Sequence, residues 1–182
     1  AYFGDILIAD DRIIKVAPHI DEALADTVTD ISGKSVSSGF IDCHSHNDWF
    51  AIKNDPLPYF VPFIRQGITT FVTGNCGLSA IGFEKDTPFL DKIGGGLFGY
   101  RGDTTGVYPS AGEMLDAIDG KCPCNIAVLV GHCSARASVA GFSSRPLTES
   151  EEERMLSILE DNLKCGAAGI SLGLMYEPGI YA

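Results

Sequence analysis

After Val36 the apolar residues fall in short, nearly unbroken runs: Gly39-Phe40-Ile41, Ile68 to Val72, Asn125 to Val130 and Ala168 to Leu172. Runs with so little polar alternation predict buried strands of a parallel sheet covered on both faces. Between them the period becomes helical. Leu57 to Gln66 carries Phe60, Phe63 and Ile64 and stops at Gly67. Ser110 with Glu113 forms a capping pattern ahead of Met114, Leu115 and Ile118, and Thr148 with Glu151 forms another ahead of Met155, Ile158, Leu159 and Leu163. The start of the chain reads differently. Asp5 to Ala9 and Ile13 to Val16 are apolar runs around the polar Asp10-Asp11-Arg12, which predicts a β-hairpin. Nothing in residues 18–36 supplies a second sheet to cover that hairpin. The pattern therefore divides the chain into a partial β domain, residues 1–36, and an α/β domain, residues 37–182.

Strands that alternate with helices need right-handed crossovers, which fit either a doubly wound sheet or a (β/α) barrel. The polar residues favour the barrel. Asp42, His44 and His46 follow the first strand, Asn75 and Cys76 the second, His132 the third and Tyr176 the fourth. A barrel gathers its chemistry at the C-terminal ends of its strands, a rule that open α/β sheets share. A closed barrel needs about eight strands and four are legible, so the expected fold is the N-terminal half of a TIM barrel, in a chain that is a fragment. Its open sheet edges invite pairing with a second copy, a homo-oligomer.

Charge narrows the partners. Thirteen Lys and Arg against 24 Asp and Glu leave a net charge of −11, with no basic cluster to meet nucleic acid or an anionic membrane surface. No apolar run approaches the ~20 residues of a membrane span, and the first residues form no signal segment, so the reading is a soluble, cytoplasmic protein. Six cysteines, at 43, 76, 122, 124, 133 and 165, read as free thiols or metal thiolates, and Cys122-Pro123-Cys124 as a turn.

His44-Ser45-His46 at the end of a buried strand can project two imidazoles to one side, one edge of a coordination shell for zinc or a related ion. Cys76, between the glycines of Gly74-Asn75-Cys76-Gly77, offers a third ligand from the neighbouring strand. His132 is open to three readings: a ligand, a hydrogen-bond partner of a ligand, or a packed histidine. Gly94 to Gly99 matches G-x-G-x-x-G but follows no strand and opens no helix, which argues against a dinucleotide site. Residues 78–109 read as a loop excursion, a lid or a simple insertion. Ser37, Ser38, Ser134, Ser143 and Ser144 lack a G-x-S-x-G elbow.

These motifs carry a resemblance. Gly39-Phe40-Ile41-Asp42-Cys43-His44-Ser45-His46 resembles the first-strand signature of the amidohydrolase superfamily. Gly67-Ile68-Thr69-Thr70, Gly74-Asn75-Cys76-Gly77, Leu129-Val130-Gly131-His132 and the segment from Gly166 to Gly179 resemble, in order, the N-acyl-D-amino-acid deacylases, or D-aminoacylases. The hairpin is similar to the start of the small β-sandwich that flanks the barrel in that superfamily.

The resemblance implies zinc-dependent hydrolysis of N-acyl-D-amino acids, small-molecule substrates, to a carboxylate and a D-amino acid. It implies Cys76 as a ligand of a tightly held zinc, His44 and His46 as lining a second, weaker metal position, and Tyr176 as a contact of the substrate carboxylate. The proton-transferring Asp and two further histidines would lie on later strands, so Asp42 is not given that role, no catalytic residue is expected within this chain, and the chain alone is expected to be inactive. Many superfamily members bridge two metals with a carbamylated lysine ending the fourth strand, and residues 169–176 contain no lysine. That weighs against a cyclic-amide hydrolase of the dihydroorotase or hydantoinase type. A non-catalytic metal-binding relative is the third reading.

Overall fold

The computed structural model describes residues 3–95 and 108–181. The chain separates into two units, Ala1–Ser38 and Gly39–Ala182. In the first, β1 (Asp5–Ala9) pairs antiparallel with β2 (Arg12–Ala17) across a two-residue turn in which Asp10 takes φ 52°. That positive φ is the conformation a tight hairpin turn demands, and Asp tolerates it. Side chains on both faces of the ribbon stay exposed, including the adjacent Ile13 and Ile14. A single turn of 3₁₀ helix, Glu22–Leu24, is the one further regular element described in this unit.

The second unit is built on β3 (Phe40–Asp42), β4 (Ile68–Thr73), β5 (Asn125–Gly131) and β6 (Gly169–Ser171), hydrogen-bonded in that order and all parallel. Among the described residues five α-helices connect them: α1 (Asp48–Ala51), α2 (Leu57–Ile64), α3 (Ala111–Ile118), α4 (His132–Ala140) and α5 (Glu149–Lys164). An α/β unit with a parallel sheet is what the apolar runs predicted. Phe71 and Thr73 on β4, and Val128 and Val130 on β5, are buried, because alternate residues of a strand face one side. Phe71 meets Phe60 and Phe63 of α2 edge-on at 5.4 and 5.3 Å, and Met114 and Leu159 bring α3 and α5 into the same core.

Three expectations need correction. Coverage on both faces is not what the described residues show: Thr70, Val72 and Leu129 are only half-buried, and Phe40 and Ile41 on the outer strand are 60% exposed. The start of the 78–109 excursion is core, since Leu78, Ala80, Ile81 and Phe83 are buried. Its backbone is satisfied by side chains, as a buried loop requires: Ser134 Oγ accepts from Ser79 N, Ser138 Oγ from Glu84 N, and Asp48 from Ala80 N. Residues 96–107 lie outside the described residues, and with them most of the Gly94–Gly99 run and the lid reading. Finally, α4 had no place in the sequence reading. Residues 132–138 are all buried, so the helix shows no polar face and hence no amphipathic period.

The capping patterns appear in place. Ser110 Oγ accepts from Glu113 N at 3.2 Å, and at Thr148 both halves of the box form, with Thr148 N donating to Glu151 at 2.9 Å. Among the described residues, no helix is long and apolar enough to cross a membrane.

Candidate metal centre

Parallel strands place their C-terminal ends along one edge, and the candidate residues follow those ends. β4 stops at Thr73 and the chain turns through Gly74, Asn75, Cys76 and Gly77, with Cys76 itself at φ 58°. A left-handed cysteine is strained and needs its surroundings to hold it. They do. Asn75 Nδ2 donates to Ser45 O and Val72 O, Gly77 N donates to Ser171 Oγ, and the Tyr176 hydroxyl donates to Cys76 O. A side chain at Gly74 would strike the Leu129 carbonyl, so the turn packs directly on β5.

His44 and His46 lie just past β3, in the bend that leads to α1, rather than on the strand. Asp42 Oδ1 accepts from His44 N at 3.0 Å and fixes the first step of that bend. The donor atoms of His44, His46 and Cys76 lie within 4.8 Å of one another, with Cys76 Sγ 3.3 Å from His44 Nε2. Two ligands of a tetrahedral zinc, with bonds of about 2.3 Å to sulfur and 2.0–2.1 Å to nitrogen, stand roughly 3.5 Å apart. Soft sulfur with two imidazoles therefore fits a borderline-soft divalent ion in both spacing and chemistry. Burial, reinforced by the neighbouring His44 charge and opposed by the Leu78 backbone, pushes the His46 imidazole below its ordinary pKa. The neutral form is the one that ligates.

The other candidates stand apart from this group. His132 is buried at the start of α4, one helical turn from Arg136, and lines a cavity of about 370 Å³ with Arg136, Leu147, Met155 and Tyr181. Burial, then the Arg136 charge, push its pKa down. It is not among the clustered ligand atoms His44, His46 and Cys76. The Tyr176 hydroxyl donates to Cys76 O, and burial, followed by the neighbouring Cys76 side chain, pushes its pKa up.

No family model matches the chain. It is 34% identical, over 98% of its length, to a D-aminoacylase of Alcaligenes xylosoxydans xylosoxydans. A solved D-aminoacylase with a binuclear metal centre matches at 33% identity over 98% of the chain, with a TM-score of 0.76. The chain belongs to the N-acyl-D-amino-acid deacylase family of amidohydrolases. A third deacylase relative, the N-acyl-D-glutamate deacylase of Bordetella bronchiseptica solved with zinc and a phosphonate inhibitor, matches at 31% identity over 98% of the chain with a TM-score of 0.71. The chain spans only about a third of these deacylases, 35% of the first and 36% of each solved structure.

One residue beside this candidate site escaped sequence reading. Asp48, two positions after His46, is fully buried, and burial pushes its carboxyl up to about 6 against the opposing pull of hydrogen bonds from Thr73, Ala80 and Gly74. The available signal was an acidic residue opening the apolar stretch Asp48-Trp49-Phe50-Ala51-Ile52. A carboxylate in such a place needs several donors.

Proposed function

We infer that the whole protein carrying this chain is a metal-dependent deacylase that hydrolyses N-acyl-D-amino acids, with His44, His46 and Cys76 contributing metal ligands. The observation that carries this reading is the convergence of one thiol and two imidazoles at the C-terminal ends of adjacent parallel strands. The fold class proposed for the whole is a (β/α)₈ barrel of which β3 to β6 form half, with β1 and β2 belonging to a flanking β-sandwich.

Zinc held at these ligands would polarise the acyl carbonyl and supply a water of lowered pKa. The chain's own residues hold the ligands in place. Asp42 orients the His44 backbone, and Tyr176 ties the loop after β6 to the carbonyl of Cys76. Neither nearby carboxylate suits proton transfer: Asp42 is committed to His44 N, and Asp48 is enclosed by Thr73, Gly74 and Ala80. The proton-transferring carboxylate is accordingly assigned to the part of the protein beyond this chain. In this reading Tyr176, 38% exposed, lies beside the substrate at the rim of the site.

The test is release of free amino acid from N-acetyl-D- and N-acetyl-L-amino acids and from hydantoins by the whole protein. The reading expects turnover of the D series alone. Preferential opening of hydantoins would assign the chain to cyclic-amide chemistry, and no turnover with bound metal to a non-catalytic role.

A further inference from the structure

The two segments that carry the candidate ligands are remote in sequence, residues 44–46 and residue 76, and no element shared by both contains a ligand. Something must fix one against the other to well under an ångström, because ligand geometry is that narrow. The Asp48 side chain occupies the position where they meet. Its Oδ1 accepts from Thr73 Oγ1 at 2.5 Å and Gly74 N at 3.2 Å, and its Oδ2 accepts from Ala80 N at 2.7 Å. The three donors bracket Cys76 on both sides along the chain. Asp48 N in turn donates to Thr73 Oγ1 at 2.9 Å, so that hydroxyl accepts from one atom of Asp48 and donates to another. Its single proton has an alternative acceptor in Ser45 O at 3.3 Å, and the shorter bond goes to the carboxylate. Ser45, between the two histidines, is drawn to the same place, with its N–H on Val72 O at 3.1 Å and its carbonyl accepting from Asn75 Nδ2 at 3.2 Å.

We propose that Asp48 is a positioning residue for the metal centre: its carboxylate clamps the turn from Thr73 to Ala80, which presents Cys76, onto the bend that presents His44 and His46. This rests on the metal reading above. A purely space-filling role would be met by asparagine, which has the same shape. Asparagine cannot meet the clamp's demand, because its amide would set N–H against the Ala80 N–H, donor against donor. Either the turn moves or a buried N–H goes unpaired. The first moves the thiol.

The experiment uses the whole protein loaded with cobalt(II), where a bound thiolate gives a sulfur-to-cobalt charge-transfer band. Cys76→Ser should abolish that band. Asp48→Asn should weaken metal affinity roughly tenfold or more in competition with a chelator, as loss of a supporting bond typically does, and should shift or weaken the band. Thr73→Val, which removes the hydroxyl and keeps the shape, should move both in the same direction by less. A melting curve for each metal-free variant separates this from unfolding, and if Asp48→Asn fails to fold, Thr73→Val decides. Unchanged affinity and an unchanged band in the folded variants, with Cys76→Ser dark, would overturn the clamp and leave the metal reading standing. A band that survives Cys76→Ser would overturn the metal reading, and the clamp with it.

Discussion

Gly77→Ala is the sharpest test of how the Cys76 turn is held. Gly77 sits at φ +73°, and a Cβ built there would stand 2.6 Å from Cys133 Sγ and 2.8 Å from Gly173 N. Cys133 is buried and Gly173 N is backbone, so neither gives way easily. Two costs then add: about 1–2 kcal/mol for a left-handed L-residue and about 1–3 kcal/mol for overpacking. Gly120 separates them, because it has nearly the same φ, +67°, with nothing within 4 Å of its built Cβ. Gly120→Ala should therefore cost about 1 kcal/mol and Gly77→Ala about 2–5 kcal/mol. At 2–4 °C per kcal/mol for a protein of this size, the melting temperature should fall by about 3 °C in the first and about 10 °C in the second. Urea unfolding at constant m gives the same comparison in free energy. Equal losses in the two variants, within about 0.5 kcal/mol, would refute the claim that the turn is packed against Gly173 and Cys133.

Thr148→Ala removes the α5 cap and should cost about 1 kcal/mol, read from denaturant midpoints. Asn162 Oδ1 accepts from Ala111 N, and its Nδ2 donates to Pro109 O and Ile158 O. Asn162→Ala leaves buried groups unpaired and should cost about 1–3 kcal/mol by the same measurement. The Arg145 guanidinium, with help from Thr148, holds the Glu151 carboxyl down at about 2. Because that pKa is depressed in the folded state, its stabilisation is complete above the ordinary glutamate value near ~4.3 and is lost as pH falls toward ~2. Melting temperatures of wild type and Glu151→Gln should converge across that window, and a gap that persists at its acid end would contradict the assignment.

The parts of the fold that were legible are those written locally. β4 and β5 announce themselves as apolar runs, α3 and α5 by their caps, and the hairpin by Asp10-Asp11. What depends on partners far along the chain was not. Asp48 acquires its meaning from Thr73, Gly74 and Ala80, 25 to 32 residues away. Helix α4 is surrounded on all sides and so lacks the polar stripe that marks a surface helix. In α5 the expected apolar face fails only at its C-terminal end. Met155, Ile158 and Leu159 still meet the core, but at the last turn Asn162 is buried while Leu163 is 42% exposed, because Asn162 is drawn inward by the α3 terminus it caps. The site shows the same division. His44, His46 and Cys76 could be grouped from their places after strands, whereas nothing local distinguished His132, which the fold places in a separate cavity beside Arg136.

X-ray absorption at the zinc edge, on the whole protein, tests the metal assignment most directly. The account predicts a sulfur neighbour at about 2.3 Å in the wild type, beside nitrogen or oxygen at about 2.0–2.1 Å, and loss of that sulfur in Cys76→Ser. A wild-type spectrum with nitrogen and oxygen neighbours alone, or a sulfur shell that persists in the variant, would contradict it.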